Sequence, residues 1–488
     1  MNPTPPALPG KSRRKLSPGC MVCLILLGIV VALLAWHVVW RIGNSRAVAR
    51  LEKAARDRGE PVTLAELAAT YPEIPHSSNA YTALAEIWES EDPGFWSAFN
   101  AGEVPLPEHH KEQIAPNVPI FSEGFKMSHT NPISPESMEA AATFLSQNKE
   151  RMDKVRAALA RTEFRAPIAL EDGYAALLPY LAEMKNESRY FQLEALHRIE
   201  SGQIESAISS ISNSASVGHC LKNDPLLIGH LVRVACNSMT IAASERLMTS
   251  HRLTDNQFAR LAAVISSLKS DDAFKKSMLG ERVIGWSVYT SSPRALRSLL
   301  DGEDGQSTGE ISYGFGIMRF IGLADADKRL MGETYQKILV CAQNPSYATN
   351  NQLHEIFEDM AVKARRFPPR IFTMMLMPSL KKAGDKFVRA EALRLCADTA
   401  ISIERYRLIH GDALPENLAD VPKEFLPATP TDPFNGLPLR YKKLPTGFMV
   451  YSVGPDRTDN DGVLDPPKNG PLPRESDIGF RVERAGSR

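Results

Sequence analysis

The sequence has no surplus of either charge: 57 Lys and Arg face 57 Asp and Glu across 488 residues. Without a net field there is no electrostatic footprint for nucleic acid, and none is expected as a partner. Aromatic residues are scarce at 7%, while Ala, Leu, Ser and Glu are abundant, a composition that leans to helix. Cysteine is sparse too, and no pair has zinc-ligand spacing. Cys20-Met-Val-Cys23 has redox-motif spacing but opens an apolar run, so both read as lipid-facing, and Cys220, Cys236, Cys341 and Cys396 are scattered through helical segments. There is no HExxH, P-loop or GxGxxG. Zinc proteolysis and dinucleotide binding therefore lack support, and any active site would have to be dispersed.

What the sequence does have is one long hydrophobic run. From Met21 to Trp40, MVCLILLGIVVALLAWHVVW, there is no charged residue. Twenty helical residues at about 1.5 Å rise cover about 30 Å, the thickness of a bilayer's hydrocarbon layer, and a helix satisfies its own backbone there. Trp36 and Trp40 stand at one end, where indoles favour the interface. A cleaved signal peptide has an apolar core of about 7–15 residues followed by small residues, whereas Arg-Ile-Gly-Asn-Ser-Arg follows Trp40. The run reads as a retained single-pass anchor in a bacterial cytoplasmic membrane, with the lipid bilayer as its partner. Lys11, Arg13, Arg14 and Lys15 precede it, and Arg41, Arg46, Arg50 and Lys53 follow. The leading charges lack acidic neighbours, which puts the basic tail, residues 1–20, in the cytoplasm and the bulk outside.

The remaining composition, 43% hydrophobic and 23% charged, is that of a globular chain of two or three domains. Residues 41–385 read as an extracytoplasmic array of helical hairpins. Thr63-Leu-Ala-Glu66 has the capping-box form, and Ser77-Ser-Asn79 marks another helix start. Asp92 to Pro132, rich in Pro, Gly and His, reads as a long loop or lid. Helix resumes with Pro135 at its first position and continues to about Arg161. Tyr174–Glu200 pairs with Ile204–Leu221, and Pro225–Thr249 with Thr254–Leu268; the turn between the first two resembles that of tetratricopeptide-type repeats, without their sustained period. Gly302 to Gly316 reads as a linker, and Asp325–Cys341 and Asn350–Arg366 as two more helices. A last helix is expected from about Lys386 to His410, stopped by Gly411. Strands then follow at Leu439–Leu444, Phe448–Val453 and Ile478–Glu483. The expected fold class is mainly α, with a transmembrane helix, a hairpin array, and a small α+β module over 386–488.

Between Ala390 and Gly462 several landmarks recur in a familiar order: Ile403-Glu-Arg-Tyr-Arg407, Gly411, Leu414-Pro415, Leu426, Asp432-Pro-Phe-Asn-Gly436, Leu439-Arg-Tyr441 and Tyr451-Ser-Val-Gly-Pro-Asp456. This stretch resembles the C-terminal part of type II secretion major pseudopilins. The resemblance implies a helix leading into a small sheet, and an acidic loop that binds calcium. The prepilin processing pattern is not kept, since Gly19 is followed by Cys-Met-Val-Cys-Leu24 with no Glu, and the helical body is far larger than a pilin subunit's. Gly59-Glu-Pro-Val-Thr-Leu-Ala-Glu66 and Asn79-Ala80, joined to such a tail, also resemble uncharacterised membrane-anchored proteins of planctomycetes and verrucomicrobia, which implies no activity.

The acidic loop is the leading candidate site. Asp456, Asp459 and Asp461, beside Gly462 and ahead of Asp465, offer closely spaced oxygens on a tight turn, as a hard cation such as calcium requires; a solvated acidic turn is the alternative. His219-Cys220 reads as a packed pair rather than a nucleophile and its base. His109-His110 reads as solvated loop or metal ligands, and Arg365, Arg366 and Arg370 as a charged helix end or an anion patch. The function expected is a membrane-anchored scaffold or binding protein presenting helical hairpins to a protein or peptide. The alternatives are a pseudopilin-like component of a secretion or surface-filament system, and an extracytoplasmic hydrolase with a dispersed site.

Overall fold

The structure, a computed structural model, describes residues 18–71, 73–91, 133–269, 272–291, 316–342, 347–366, 370–464 and 477–484. The basic tail, the expected lid around His109-His110, most of the Gly302–Gly316 linker and Asp465 lie outside them. Helix α1 runs Pro18–Asp57 without a break. Its apolar half is exposed and is long and apolar enough to cross a membrane. Past Trp40 the same helix changes role: Asn44, Ala47, Val48 and Ala55 are buried.

Short helices α2 (Leu64–Ala69) and α3 (Ala80–Glu89) follow, then α4 (Pro135–Gln147) and α5 (Lys149–Leu159). Helices α6 (Pro179–Glu200), α7 (Ile204–Cys220) and α8 (Leu227–Ser250) pack against one another as expected of consecutive hairpins. Gly202, at φ +72°, ends α6, with Gly202 N–H donating to Ile199 O and Gln203 N–H to Arg198 O. This is the Schellman arrangement for which glycine is preferred. Next come α9 (Asp255–Ser267), opened by the Thr254/Gln257 capping box, α10 (Ala273–Ser287), α11 (Leu323–Cys341), α12 (Tyr347–Arg365) and α13 (Ile371–Ile409).

Strands β1 (Arg440–Leu444), β2 (Gly447–Ser452) and β3 (Ile478–Glu483) form one antiparallel sheet with β2 central. Asp432 fastens its end: the buried carboxylate accepts from Phe434 N (2.8 Å), Ser452 Oγ (2.8 Å) and Val453 N (2.9 Å). One face of the sheet lies on the C-terminal half of α13. Phe448, Val450, Phe480 and Val482 share a core with Cys396, Ala400 and Ile403, and also with Ile211, Leu247 and Leu261 of α7, α8 and α9.

Two expectations need correcting. The last helix begins at Ile371, not Lys386, because the sequence signs of a break, Pro378 and the polar stretch Lys381 to Asp385, are overridden by packing along the length of α13. A boundary at 385/386 therefore cuts a continuous helix, and the sheet shares its core with the helical array.

Candidate functional site

One group of buried polar side chains gathers at the start of α8. The chain leaves α7 through a tight turn and reaches Asp224, whose carboxylate accepts from Leu226 N (2.9 Å) and from the hydroxyl of Tyr180. Two glycines let the surrounding helices close on this turn. A Cβ on Gly229 would stand 2.2 Å from the Asp224 carboxyl carbon, and one on Gly280 would stand 2.0 Å from the Pro225 carbonyl oxygen. Burial pushes the Asp224 carboxyl up to about 6, against the pull of its Tyr180 and Leu226 donors. Next to Gly280, burial pushes Glu281 up to about 7, opposed by the Leu227 backbone N–H. Two carboxyls thus meet the N-terminus of α8, the end whose exposed N–H groups favour negative charge. His230, one turn in, is fully buried, with the Asp224 backbone carbonyl close by; burial, reinforced by Arg233 and Lys276, lowers it to about 3, so its ring stays neutral.

Above this turn opens a cavity of about 460 Å³, whose polar lining is Tyr71, Glu163, Arg165, Asn223, Asp224 and Lys276. Its outer wall is a pair of stitched strands of coil. Ala80 N donates to Glu163 O (2.8 Å), and Asn79 uses its side-chain amide to receive Arg165 N (2.9 Å) and to donate to Arg165 O (2.9 Å). The Arg165 guanidinium lies over the Tyr71 ring at 4.9 Å and donates to Tyr71 O (3.2 Å), while the Tyr71 hydroxyl receives Ala166 N (3.0 Å). Lys276 reaches Asn223 Oδ1 at 3.3 Å. A neighbouring cavity of about 230 Å³ shares Glu163, Phe164 and Asn223 and extends to His219 and Lys222. Thr70 also lines the larger cavity, its hydroxyl donating to Leu67 O (2.7 Å), and among the described lining residues there is no Ser, Cys or His. His219 meets Lys222 Nζ at 2.9 Å, and burial pushes the Cys220 thiol up to about 12. His219 is exposed rather than packed, and Cys220 is partly buried against the core, its thiol not poised for attack.

The acidic loop lies elsewhere, on the edge of the sheet. Asp459 accepts from Arg440 Nε (3.0 Å), the Tyr451 hydroxyl (3.1 Å) and Asp461 N (3.0 Å). Asp461 pairs with Lys442 at 2.6 Å, and Asp456 accepts from its own turn at Thr458 N (3.0 Å). The loop is closed from behind by Asp477, which heads β3, is 2% exposed, and receives Gly462 N (2.7 Å) and Asn460 N (3.2 Å). Burial raises the Asp477 carboxyl, and Asp459 and Asp456 raise it further against those donors. Among the described residues, no three His, Cys, Asp or Glu converge as metal ligands. Asp456, Asp459 and Asp461 are thus near neighbours with separate commitments, and calcium would have to displace Arg440 and Lys442 to collect the roughly six to eight oxygens it needs.

Sequence reasoning missed Asp224, Glu281 and Asp477. The first left a trace in Asn-Asp-Pro before an apolar helix, a form that favours a side-chain-capped turn. The other two have none, since their roles come from tertiary contacts. No family model matches this chain, and no curated protein or solved structure is detectably similar to it.

Proposed function

We propose that the protein is a membrane-anchored binding protein whose extracytoplasmic helical body takes an extended peptide in the cleft between Tyr71 and Lys276. The lining of that cleft carries the reading. Arg165 and Lys276 alternate with Glu163 and Asp224 around apolar patches formed by Leu67, Ile74, Phe164 and Leu279. A peptide in extended form answers both, its polar groups meeting the charges and its alternate side chains the apolar patches. The apolar half of α1 supports anchoring, and its charge-free length suits one crossing. A hydrolase with a dispersed site has less behind it, because the aliphatic hydroxyl in the lining, that of Thr70, is spent on Leu67 O (2.7 Å) with no base beside it. A pseudopilin-like role draws support from the C-terminal half of α13 lying on a three-stranded sheet. Against filament assembly stands α1 itself, one face of which is buried against its own body at Asn44, Ala47, Val48 and Ala55.

The test selects random displayed peptides on the full chain held in lipid nanodiscs. Peptides recovered this way are expected to bind Arg165→Ala/Lys276→Ala about tenfold or more weakly, a loss of about 1.4 kcal/mol. A selection that returns nothing above empty nanodiscs overturns the reading, as do peptides that bind the double variant equally well.

A further inference from the structure

Helix α11 lies parallel to the part of α1 that follows the apolar run. Gly322 packs on Arg41, where a Cβ would come within 2.8 Å of Cγ; farther along, Lys328 pairs with Glu52 at 2.7 Å and Gly332 packs on Leu51. The start of α11 therefore sits at the height of Arg41, the first residue past Trp40. The short helical turn just before it, residues 316–320, carries Ile317 and Phe320, 60% and 77% exposed. Large apolar side chains three apart share one side of a helix. At this height the surface beside them is that of the bilayer.

The same end of the body holds a cleft of about 310 Å³ bounded by Asn44 of α1 and by Arg329, Lys363, Arg366 and Arg370, with Glu333 as the one carboxylate in the lining. Glu333 answers Arg329 at 2.7 Å and Asp359 answers Lys363 at 2.8 Å. Arg366 is exposed. Asp327 lies near Arg370 and accepts from Phe372 N (2.9 Å) and Thr373 N (3.2 Å). Beside Arg370, Ile371, Met374 and Met375 stand exposed. Cationic cleft and apolar rim thus occur together, three residues along α1 from Arg41. Basic residues at this depth meet the phosphates of an anionic leaflet, and apolar neighbours enter the headgroup boundary.

We propose that this end of the body rests on the membrane, with Ile317 and Phe320 in the headgroup layer and the Arg329, Lys363, Arg366 and Arg370 cleft closed on the phosphate of an anionic phospholipid. The inference rests on residues 21–40 being a membrane span. Hydrogen exchange of the full chain is followed in nanodiscs of phosphatidylcholine alone, of phosphatidylcholine with phosphatidylglycerol, and of phosphatidylcholine with inorganic phosphate in solution. Phosphatidylglycerol is expected to slow amides around Arg366 and Arg370 several-fold. Free phosphate is expected to leave them unchanged, and Arg366→Gln/Arg370→Gln to lose the effect while keeping native exchange in the α6–α8 core. Equal exchange with and without phosphatidylglycerol, or protection that survives in the variant, overturns the proposal. Protection by phosphate alone overturns it in favour of a soluble-anion site. Alkaline carbonate extraction tests the span separately: chain released into the soluble fraction overturns the anchor itself.

Discussion

Glu281 and His230 sit within a few residues' reach of one helix end, yet they bend the stability of the protein in opposite directions with pH. Glu281 is raised to about 7 from an ordinary value of 4.5. Its native form binds a proton more readily than its unfolded form, so its contribution is fully present below 4.5 and is lost as pH rises through about 7. His230 is lowered to about 3 from 6.5, so the unfolded chain takes the proton first and stability falls as pH drops below 6.5. Comparing Glu281→Gln with the native chain cancels the histidine and every other group. Gln keeps an acceptor for Leu227 N and removes the charge. The variant is expected to melt above the native protein at about pH 8, and the gap to close as pH falls to about 4.5. A gap that does not change with pH, read by melting curves across that range, would show that Glu281 is solvated as usual.

Helix α13 shows how an element can be held by residues far from it in sequence. Its own N-cap residue, Arg370, makes no capping bond with its side chain. The cap comes from Asp327 of α11, fully buried, which accepts from Phe372 N, Thr373 N and, at 2.5 Å, Thr373 Oγ1. Asp327→Ala leaves buried donors without an acceptor and is expected to cost about 2–3 kcal/mol in urea unfolding of the full chain, with Asp327→Asn costing less. No local signal could have placed this helix start, because its stabiliser lies 45 residues upstream. By contrast β3 was legible to the residue, and α6 to α9 to within about five residues from apolar periodicity. Helix α10 was missed: Ala273-Phe-Lys-Lys-Ser-Met278 buries Phe274, Ser277 and Met278 together, a mixed face that a search for an apolar stripe passes over. The acidic loop was visible as a motif, but its commitments were not, since Arg440 and Lys442 reach it from β1 and Asp477 from the start of β3. With those cations already on Asp459 and Asp461, melting temperatures in millimolar calcium and in chelator are expected to agree. A clear rise in calcium would mean that the ion displaces Arg440 and Lys442 and that the loop is a metal site after all.

At the scale of the whole molecule, the described helices and the sheet are joined through shared cores. One core joins α7, α8 and α9 to α13 and the sheet; a second joins α8, α10, α11, α12 and α13 to Ala55 and Val62; a third joins α3 to α8. Helices α8 and α13 run through more than one of them, so the sheet cannot unfold without disturbing the hairpins. The apolar helix is joined to the body in the same way. Leu51 packs on Gly332 next to Trp286, Glu52 pairs with Lys328, and Ala55 is 1% exposed. The packed body accordingly begins within α1, at its change from apolar to amphipathic, rather than at its end. Removing residues 1–40 takes away the apolar run, whose large side chains from Met21 to Val39 are exposed. Removing residues 1–57 also strips the second core of Ala55 and leaves Trp286, Gly332 and Lys328 facing water. Losing buried contacts of that kind costs about 2–5 kcal/mol for each large apolar group uncovered. The fragment from residue 41 is expected to be helical and to melt cooperatively, and the fragment from residue 58 to melt far lower or to be cleaved rapidly within α10 and α11 by limited proteolysis. Equal melting temperatures for the two fragments would mean that the second half of α1 merely lies on the body and that the anchor is free to swing.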